Sequence, residues 1–176
     1  LLSDGAPALA LGLEKGDPDL MDRPPRPPDE PVINKDMLIG VIFQTVAITT
    51  AVLTAYRLGL SYFATLEHTD PARTAETMAF VTLVMGELLR AYTSRSERYP
   101  LLKLGVFTNR WMQYAVGFSL VLLMAVVYLP VPTIQRIFNT VPLTGREWLV
   151  IAPLILLPSI VAEAQKAIMN RIRRSA

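Results

Sequence analysis

Four apolar runs limit what this chain can become more than anything else in it. Residues 37–60, 77–93, 111–129 and 148–162 reach or approach the roughly 20 residues an α-helix needs to cross a bilayer. The first run holds one charge, Arg57, near its end. The second holds Glu87 and Arg90, and the third holds none. A soluble bundle of buried helices is the alternative, but so little charge over several long runs favours membrane spans. Residues 1–13 are too short to span and read as the second half of a further segment. The expected fold is an all-α membrane protein with four full transmembrane helices plus the second half of a fifth. In that layout the partial helix takes 1–13, and the full helices take 37–60, 75–94, 111–130 and 148–170.

Lysine and arginine placement orients the expected spans. Lys15, Arg23, Arg26 and Lys35 lie between the partial segment and the first full run. Arg90, Arg95, Arg98, Lys103 and Arg110 lie at or beyond the end of the second, and Lys166, Arg171, Arg173 and Arg174 follow the last. The other two connections hold only Arg57 and Arg73, then Arg136 and Arg146. Because positive loops stay inside, this pattern predicts cytoplasmic loops at 14–36 and 95–110 and a cytoplasmic basic tail at 171–176. Outside loops are expected at 61–74 and 131–147. Trp111, Tyr128 and Trp148 sit near run ends, as an aromatic belt would.

The first of these loops has its own chemistry. Six prolines between residues 18 and 31 remove N–H donors and impose extended geometry, so this stretch cannot be an ordinary helix. A flexible linker would use glycine and serine. A stiff loop charged in both signs suits docking against another domain, with a solvated connector as the plainer alternative.

Several function classes are excluded. The chain has no cysteine, so disulfides and thiolate metal sites are ruled out. A net charge of +2, with the basic residues in loops, makes no case for nucleic acid as a partner. There is no nucleophile paired with a histidine base and no glycine-rich phosphate loop, so nothing in these 176 residues can hydrolyse a nucleotide unaided. The first residues lack a basic stretch ahead of the apolar one and do not begin with methionine. They read as a cut within a longer polypeptide and not as a signal peptide.

Two acids stand out. Asp4 lies in an apolar, helix-like run beside Ser3, with the backbone breakers Gly5 and Pro7 next to it. A hard cation wants carboxylate, hydroxyl and backbone carbonyl oxygens, and those types are gathered there. A capped soluble helix start would explain the same residues. Glu87 is the one acid inside the second run, and an acid within a membrane usually faces an ion or proton path. Its plainer role is a pair with Arg90 one turn on. Ala47, Ala51 and Ala55 form a stripe of small residues suited to close helix packing. His68 is the sole histidine and reads as solvated, while Met78 and Met85 read as packing.

Ser3–Asp4–Gly5, Pro7–Ala8, Ala10–Leu11–Gly12, Asp19, Met21 and Arg23–Pro24–Pro25–Arg26 together resemble the sixth transmembrane helix and following loop of the type II P-type ATPases. The likeness is greatest to calcium pumps of the sarcoplasmic-reticulum and secretory-pathway type. Glu30–Pro31–Val32–Ile33 resembles the end of the same loop. Thr77–Met78–Ala79 through Glu87, Ala91, Ser94, Ser96–Glu97 and Leu101–Leu102 resembles the eighth helix and its cytoplasmic exit. The resemblance spans the whole chain, as helices six to ten, although the last two helices match mainly in length and spacing.

This resemblance implies the carboxy-terminal part of the membrane domain of an ATP-driven pump, exporting Ca2+ with proton counter-transport. It implies metal ligands at Ser3 and Asp4, where serine stands for the more usual threonine, and an auxiliary ligand at Glu87. The family's asparagine ligand would fall one residue before Leu1. Asp17, Asp19 and Asp22 match loop positions that couple ion binding to the phosphorylation domain, and Arg23 and Arg26 belong to the same motif. The implied partners are the lipid bilayer, the remaining transmembrane helices and the phosphorylation domain. Mg2+ and ATP would bind only in domains outside this sequence, so no catalytic residue is expected here. Alternatives are a noncatalytic membrane scaffold or accessory subunit, or a pump of the same family for Na+, Mn2+ or H+.

Overall fold

A computed structural model describes residues 2–17, 19–22, 31, 33, 35–61 and 70–175, with backbone alone at 2–4, 35, 36, 132, 135 and 173–175. Among these residues there is no strand. The order is α1 (Leu2–Gly12), a 3-10 turn (Leu20–Asp22), α2 (Lys35–Ser61), α3 (Pro71–Thr93), α4 (Leu101–Leu104), α5 (Arg110–Tyr128), α6 (Pro132–Phe138) and α7 (Gly145–Ser175). His68 lies outside the described residues.

Among the described residues, three stretches are long and apolar enough to cross a membrane: Met37–Ser61, Arg110–Tyr128 and Gly145–Ile172. Helix α3 is long enough, at 23 residues, but carries Arg73, Glu76, Glu87 and Arg90. Its position explains the difference from the other three. It packs against α1, α2, α5 and α7, so protein and not lipid surrounds most of it. A helix shielded in this way needs no continuous apolar surface. Several of its polar groups also find partners, though Thr82 Oγ1 and Arg73 Nε do not among the described residues. Arg73 Nη2 donates to the Thr140 carbonyl at 3.2 Å, and Thr77 Oγ1 accepts from the Val141 N–H at 3.0 Å. Glu76 accepts from the Asn139 amide.

The α2–α3 contact is built from small residues. Ala47, Ala51, Ala55 and Gly59 recur every four residues along α2, and all are buried. A Cβ placed on Gly59 would lie 2.5 Å from Ala75 Cα, so the two backbones touch there. Close approach of this kind drives helix association where lipid removes the hydrophobic gain. The rest of α2 is bulky and outward-facing, with Val41, Phe43, Val46 and Leu53 all exposed. That is the surface a lipid-facing helix presents.

Helix α7 contains Pro153 and Pro158, each of which removes an N–H from the helical ladder. Gln44 of α2 meets the backbone at this point. With its amide oriented to satisfy both groups, it donates to the Pro158 carbonyl at 3.2 Å and accepts from the Ala162 N–H at 3.1 Å. The main core joins Ala55, Met78, Val81, Leu123, Val127, Ile151 and Ile155, drawn from α2, α3, α5 and α7. A smaller cluster joins Ala10 of α1 to Met112 and Ala115 of α5, with Ala91 and Tyr92 of α3 against it. Met78 is fully buried and Met85 packs on the main core, so both serve packing.

Helix starts are set locally. Pro71 fits the first turn of α3, and the Asp70 side chain accepts from the Arg73 N–H. At the start of α7, Glu147 reaches back, its Oε2 accepting from the Thr144 N–H at 2.6 Å and the Thr144 hydroxyl at 3.2 Å. At that same end of the bundle, Trp148 Nε1 donates to the Tyr128 hydroxyl at 2.6 Å, which donates to the Leu143 carbonyl at 2.9 Å. Trp111 sits at the opposite end of α5 beneath the Arg110 guanidinium, 5.3 Å from its ring centre.

Candidate functional site

Glu87 faces α1. It lines a cleft of about 280 Å³ with Arg90, Ala91 and Ser94 of α3 and with Pro7, Ala8 and Leu11 of α1. Position 4 stands three and four residues before Pro7 and Ala8, hence on the same face of α1 one turn away. The structure describes the backbone of Ser3 and Asp4 within α1, and their side chains lie outside the described residues. α1 is continuous from Leu2 to Gly12 despite Gly5 and Pro7, whereas the sequence suggested a loosened segment. The loosening is confined to one missing donor. Pro7 has no N–H to offer the carbonyl of residue 3.

Glu87 also has the partner that its plainer role required. Its Oε2 accepts from Arg90 Nε at 2.9 Å, with 28% of the glutamate side chain and 42% of the arginine side chain exposed. The pair uses one carboxylate oxygen and leaves the other directed to no partner among the described residues. Those residues contain no group of three or more His, Cys, Asp or Glu side chains able to hold a metal ion. One carboxylate does not make a cation shell, which needs further oxygens from outside this set.

The loop acids Asp17, Asp19 and Asp22 occupy a short ordered stretch. The Leu20 N–H donates to the Asp17 carbonyl at 3.1 Å, and the Asp22 N–H to the Asp19 carbonyl at 3.2 Å. Asp22 closes the 3-10 turn and is exposed. Arg23 and Arg26 lie outside the described residues.

Just before this stretch is a network that sequence reasoning did not find. Glu14 receives two hydrogen bonds from Arg95, Nε to Oε2 and Nη2 to Oε1, both 2.7 Å. Only 1% of the Arg95 side chain is exposed, and 14% of that of Glu14. The remaining guanidinium donors reach the Gly105 carbonyl at 2.8 Å and Thr108 Oγ1 at 2.6 Å. Asn109 Nδ2 donates to Glu14 Oε2 at 2.8 Å and to the Ala10 carbonyl at 3.0 Å. Asn109 Oδ1 caps α5, accepting from the N–H groups of Trp111 and Met112. The bonds from Arg95 hold the Glu14 carboxyl below its ordinary range, although burial works the other way. Gly105 makes the tight geometry possible, since its φ of +80° is a region that favours glycine.

Helix α7 holds the same 94–109 segment from the other side. Lys166 Nζ donates to the Thr93 carbonyl at 2.6 Å and to Glu163 Oε1 at 2.9 Å. Glu163 Oε2 accepts from the Leu101 N–H at 3.1 Å, and Asn170 Nδ2 donates to the Arg98 carbonyl at 2.6 Å. Positions 163, 166 and 170 share one face of α7.

A sequence model of the family described as "Cation transporting ATPase, C-terminus" matches residues 1–168, taking in both the α1–α3 cleft and the Glu14 network. The chain belongs to this family. Calcium-transporting ATPase 1 of Schizosaccharomyces pombe is 35% identical over 153 residues, covering 86% of this chain and 16% of that protein. Calcium-transporting ATPase of Bacillus subtilis is 31% identical over 161 residues, covering 90% of this chain and 17% of that protein. Calcium-transporting ATPase type 2C member 2 of Rattus norvegicus is 28% identical over 166 residues, covering 94% and 17%. The chain thus spans about a sixth of the length of these relatives. A cation-ATPase C-terminal region with three membrane-length apolar helices is an integral membrane protein.

Proposed function

We propose that this cation-ATPase region is the carboxy-terminal part of the membrane domain of an ATP-driven Ca2+ pump. It would supply part of the intramembrane cation site and the loop coupling that site to the phosphorylation domain. The observation that carries the reading is the cleft between α1 and α3. Glu87 lines it together with Pro7 and Ala8, one turn along the same α1 face from position 4, so the α1 face that bears Asp4 continues into the cleft that Glu87 borders. Converging oxygens on different helices are what a bundle needs to hold a hard cation. The relatives named above as calcium-transporting favour Ca2+ over Na+, Mn2+ or H+, and favour a pump over a noncatalytic scaffold.

In this reading Ser3 and Asp4 are primary ligands, and Glu87 is an auxiliary one that exchanges Arg90 for the ion. Cation entry would displace protons from the site and give a route to proton counter-transport. The charge bias supports a cytoplasmic side for residues 14–36, 95–110 and the last residues, with 61–74 and 131–147 outside. Asp17, Asp19, Asp22, Arg23 and Arg26 would dock on the phosphorylation domain, where ATP and Mg2+ bind. In the full-length pump, Asp4→Asn is expected to abolish Ca2+-dependent phosphorylation from ATP. Glu87→Gln is expected to lower apparent Ca2+ affinity or remove one of two bound ions. Wild-type Ca2+ dependence in Asp4→Asn would overturn the assignment.

The 2.9 Å Glu87–Arg90 bond favours a second reading. There Glu87 is permanently neutralised by Arg90, and the pump carries one ion through Asp4 alone. A stoichiometry of one Ca2+ per phosphorylation, unchanged in Glu87→Gln, would select it.

A further inference from the structure

Resting on the pump reading, we propose that Glu14 and Arg95 are positioning residues: a buried clasp that fixes the start of the proline-rich loop to the α3–α5 connection, so that movement of the α1 cation site reaches the loop as a rigid displacement. The two residues are 81 positions apart, and neither belongs to the cation site or to the docking motif. Glu14 stands two residues past the end of α1 and three before Asp17. Whatever grips Glu14 therefore sets where the loop leaves the bundle.

The grip is built from all sides. Arg95 spends its donors on Glu14, the Gly105 carbonyl and Thr108, so its planar fork defines one orientation. Asn109 spans three elements at once, holding the last turn of α1 through the Ala10 carbonyl, Glu14 itself and the first turn of α5. Lys166, Glu163 and Asn170 brace the back of the same segment against α7. The contrast with the cleft lies in fixity. Around Glu87 the polar contact is a half-exposed pair within one helix, which can open for an ion. Around Glu14 the contacts are largely withdrawn from solvent, with the Arg95 side chain 1% exposed, and join separate elements, and nothing about them suits ligand exchange. A surface ion pair would carry no such implication. A buried bidentate pair with every neighbour satisfied fixes geometry.

Hydrogen–deuterium exchange and transport assays on the full-length protein in membranes test this. Glu14→Gln removes the charge and one acceptor oxygen. Arg95→Lys keeps the charge and loses the fork, so it serves as the second variant if the first folds poorly. The Leu20 and Asp22 amides are bonded within the loop stretch. Both variants are expected to exchange there about tenfold faster than wild type. Turnover should fall about tenfold, with Ca2+ dependence of phosphorylation shifted less than about twofold, because the ligands themselves are untouched. The Glu14→Gln, Arg95→Gln double variant should be no slower than the worse single. Unchanged exchange in both variants overturns the clasp. Faster exchange with wild-type turnover overturns its role in transport. A wild-type protein without Ca2+-dependent phosphorylation would sink the pump reading itself, and the exchange contrast would still decide whether the clasp exists.

Discussion

Toward α2 and α7, helix α3 presents Ala75, Met78 and Gly86, in contact distances that leave no room for another carbon at Gly59. Toward α1 it presents Glu87, Arg90 and Ala91 across a cleft of about 280 Å³. Around Gly59 and Ala75 the first face is small and tight, and its cohesion comes from backbone approach and side-chain packing, while nearer Arg90 it opens into a cleft of about 260 Å³ between α2 and α7. The second is partly open at Glu87 and Arg90, packs through Leu11 and Ala91 beside the Ala10–Met112 cluster, and is held at its loop end by the Glu14–Arg95 clasp. One helix thus has a closely packed stretch and a stretch that borders open clefts. On the proposed pump reading, a cation-binding cleft would border a fixed scaffold, and α3 would provide that division in 23 residues.

The largest expected effect is at the clasp. Arg95→Met would leave Glu14 ionised in a largely buried place, and loss of one partner of a buried pair costs about 3–5 kcal/mol. Thermal unfolding of the full-length protein in detergent checks it, and a shift no larger than that of a surface arginine would show that the open face has no such anchor. Next comes the tight face. Gly59→Leu forces backbones apart at the Ala75 contact and should cost about 1–3 kcal/mol. Ala8→Leu, in the cleft wall, should stay within about 0.5 kcal/mol. Equal costs at the two positions would erase the difference between the faces. Glu87→Gln should be smaller still in stability, below about 0.5 kcal/mol, because the pair is local and solvent screens it. Its effect belongs in Ca2+ dependence.

The smallest effect concerns pH. The Glu14 carboxyl is held below its ordinary value, so its contribution is present above that value and is lost only as pH falls through the lowered one. The stability difference between wild type and Glu14→Gln should stay constant from neutrality down to about the ordinary 4.5 and shrink only below it. Shrinkage near neutrality would mean that Arg95 does not hold the carboxylate.

Some of this architecture was readable residue by residue. The apolar run at 37–60 lies within α2, and that at 111–129 covers nearly all of α5, because length and lack of charge are local properties that a membrane reads directly. The Ala47, Ala51 and Ala55 stripe was visible as a spacing, and the structure extends it to Gly59 and supplies α3 as its partner. The Glu87–Arg90 pair is likewise a one-turn relation that helical periodicity dictates. Asn109 could have been found as well, since a capping residue directly ahead of an apolar run is a local signal.

Other features had no local signature. That α3 lies among four other helices, and so tolerates Arg73, Glu76, Glu87 and Arg90, depends on packing that no stretch of α3 encodes. The meeting of Glu14 with Arg95 depends on the exits of α1 and α3 arriving at one place, across 81 residues. In the sequence Arg95 was one of five basic residues counting toward orientation, and Glu14 carried no signal of its own. Helix formation is decided by neighbours within a few residues, so a linear reading recovers it. The chemistry of a buried charge is decided by what surrounds it in space, and that exists only once the helices have assembled.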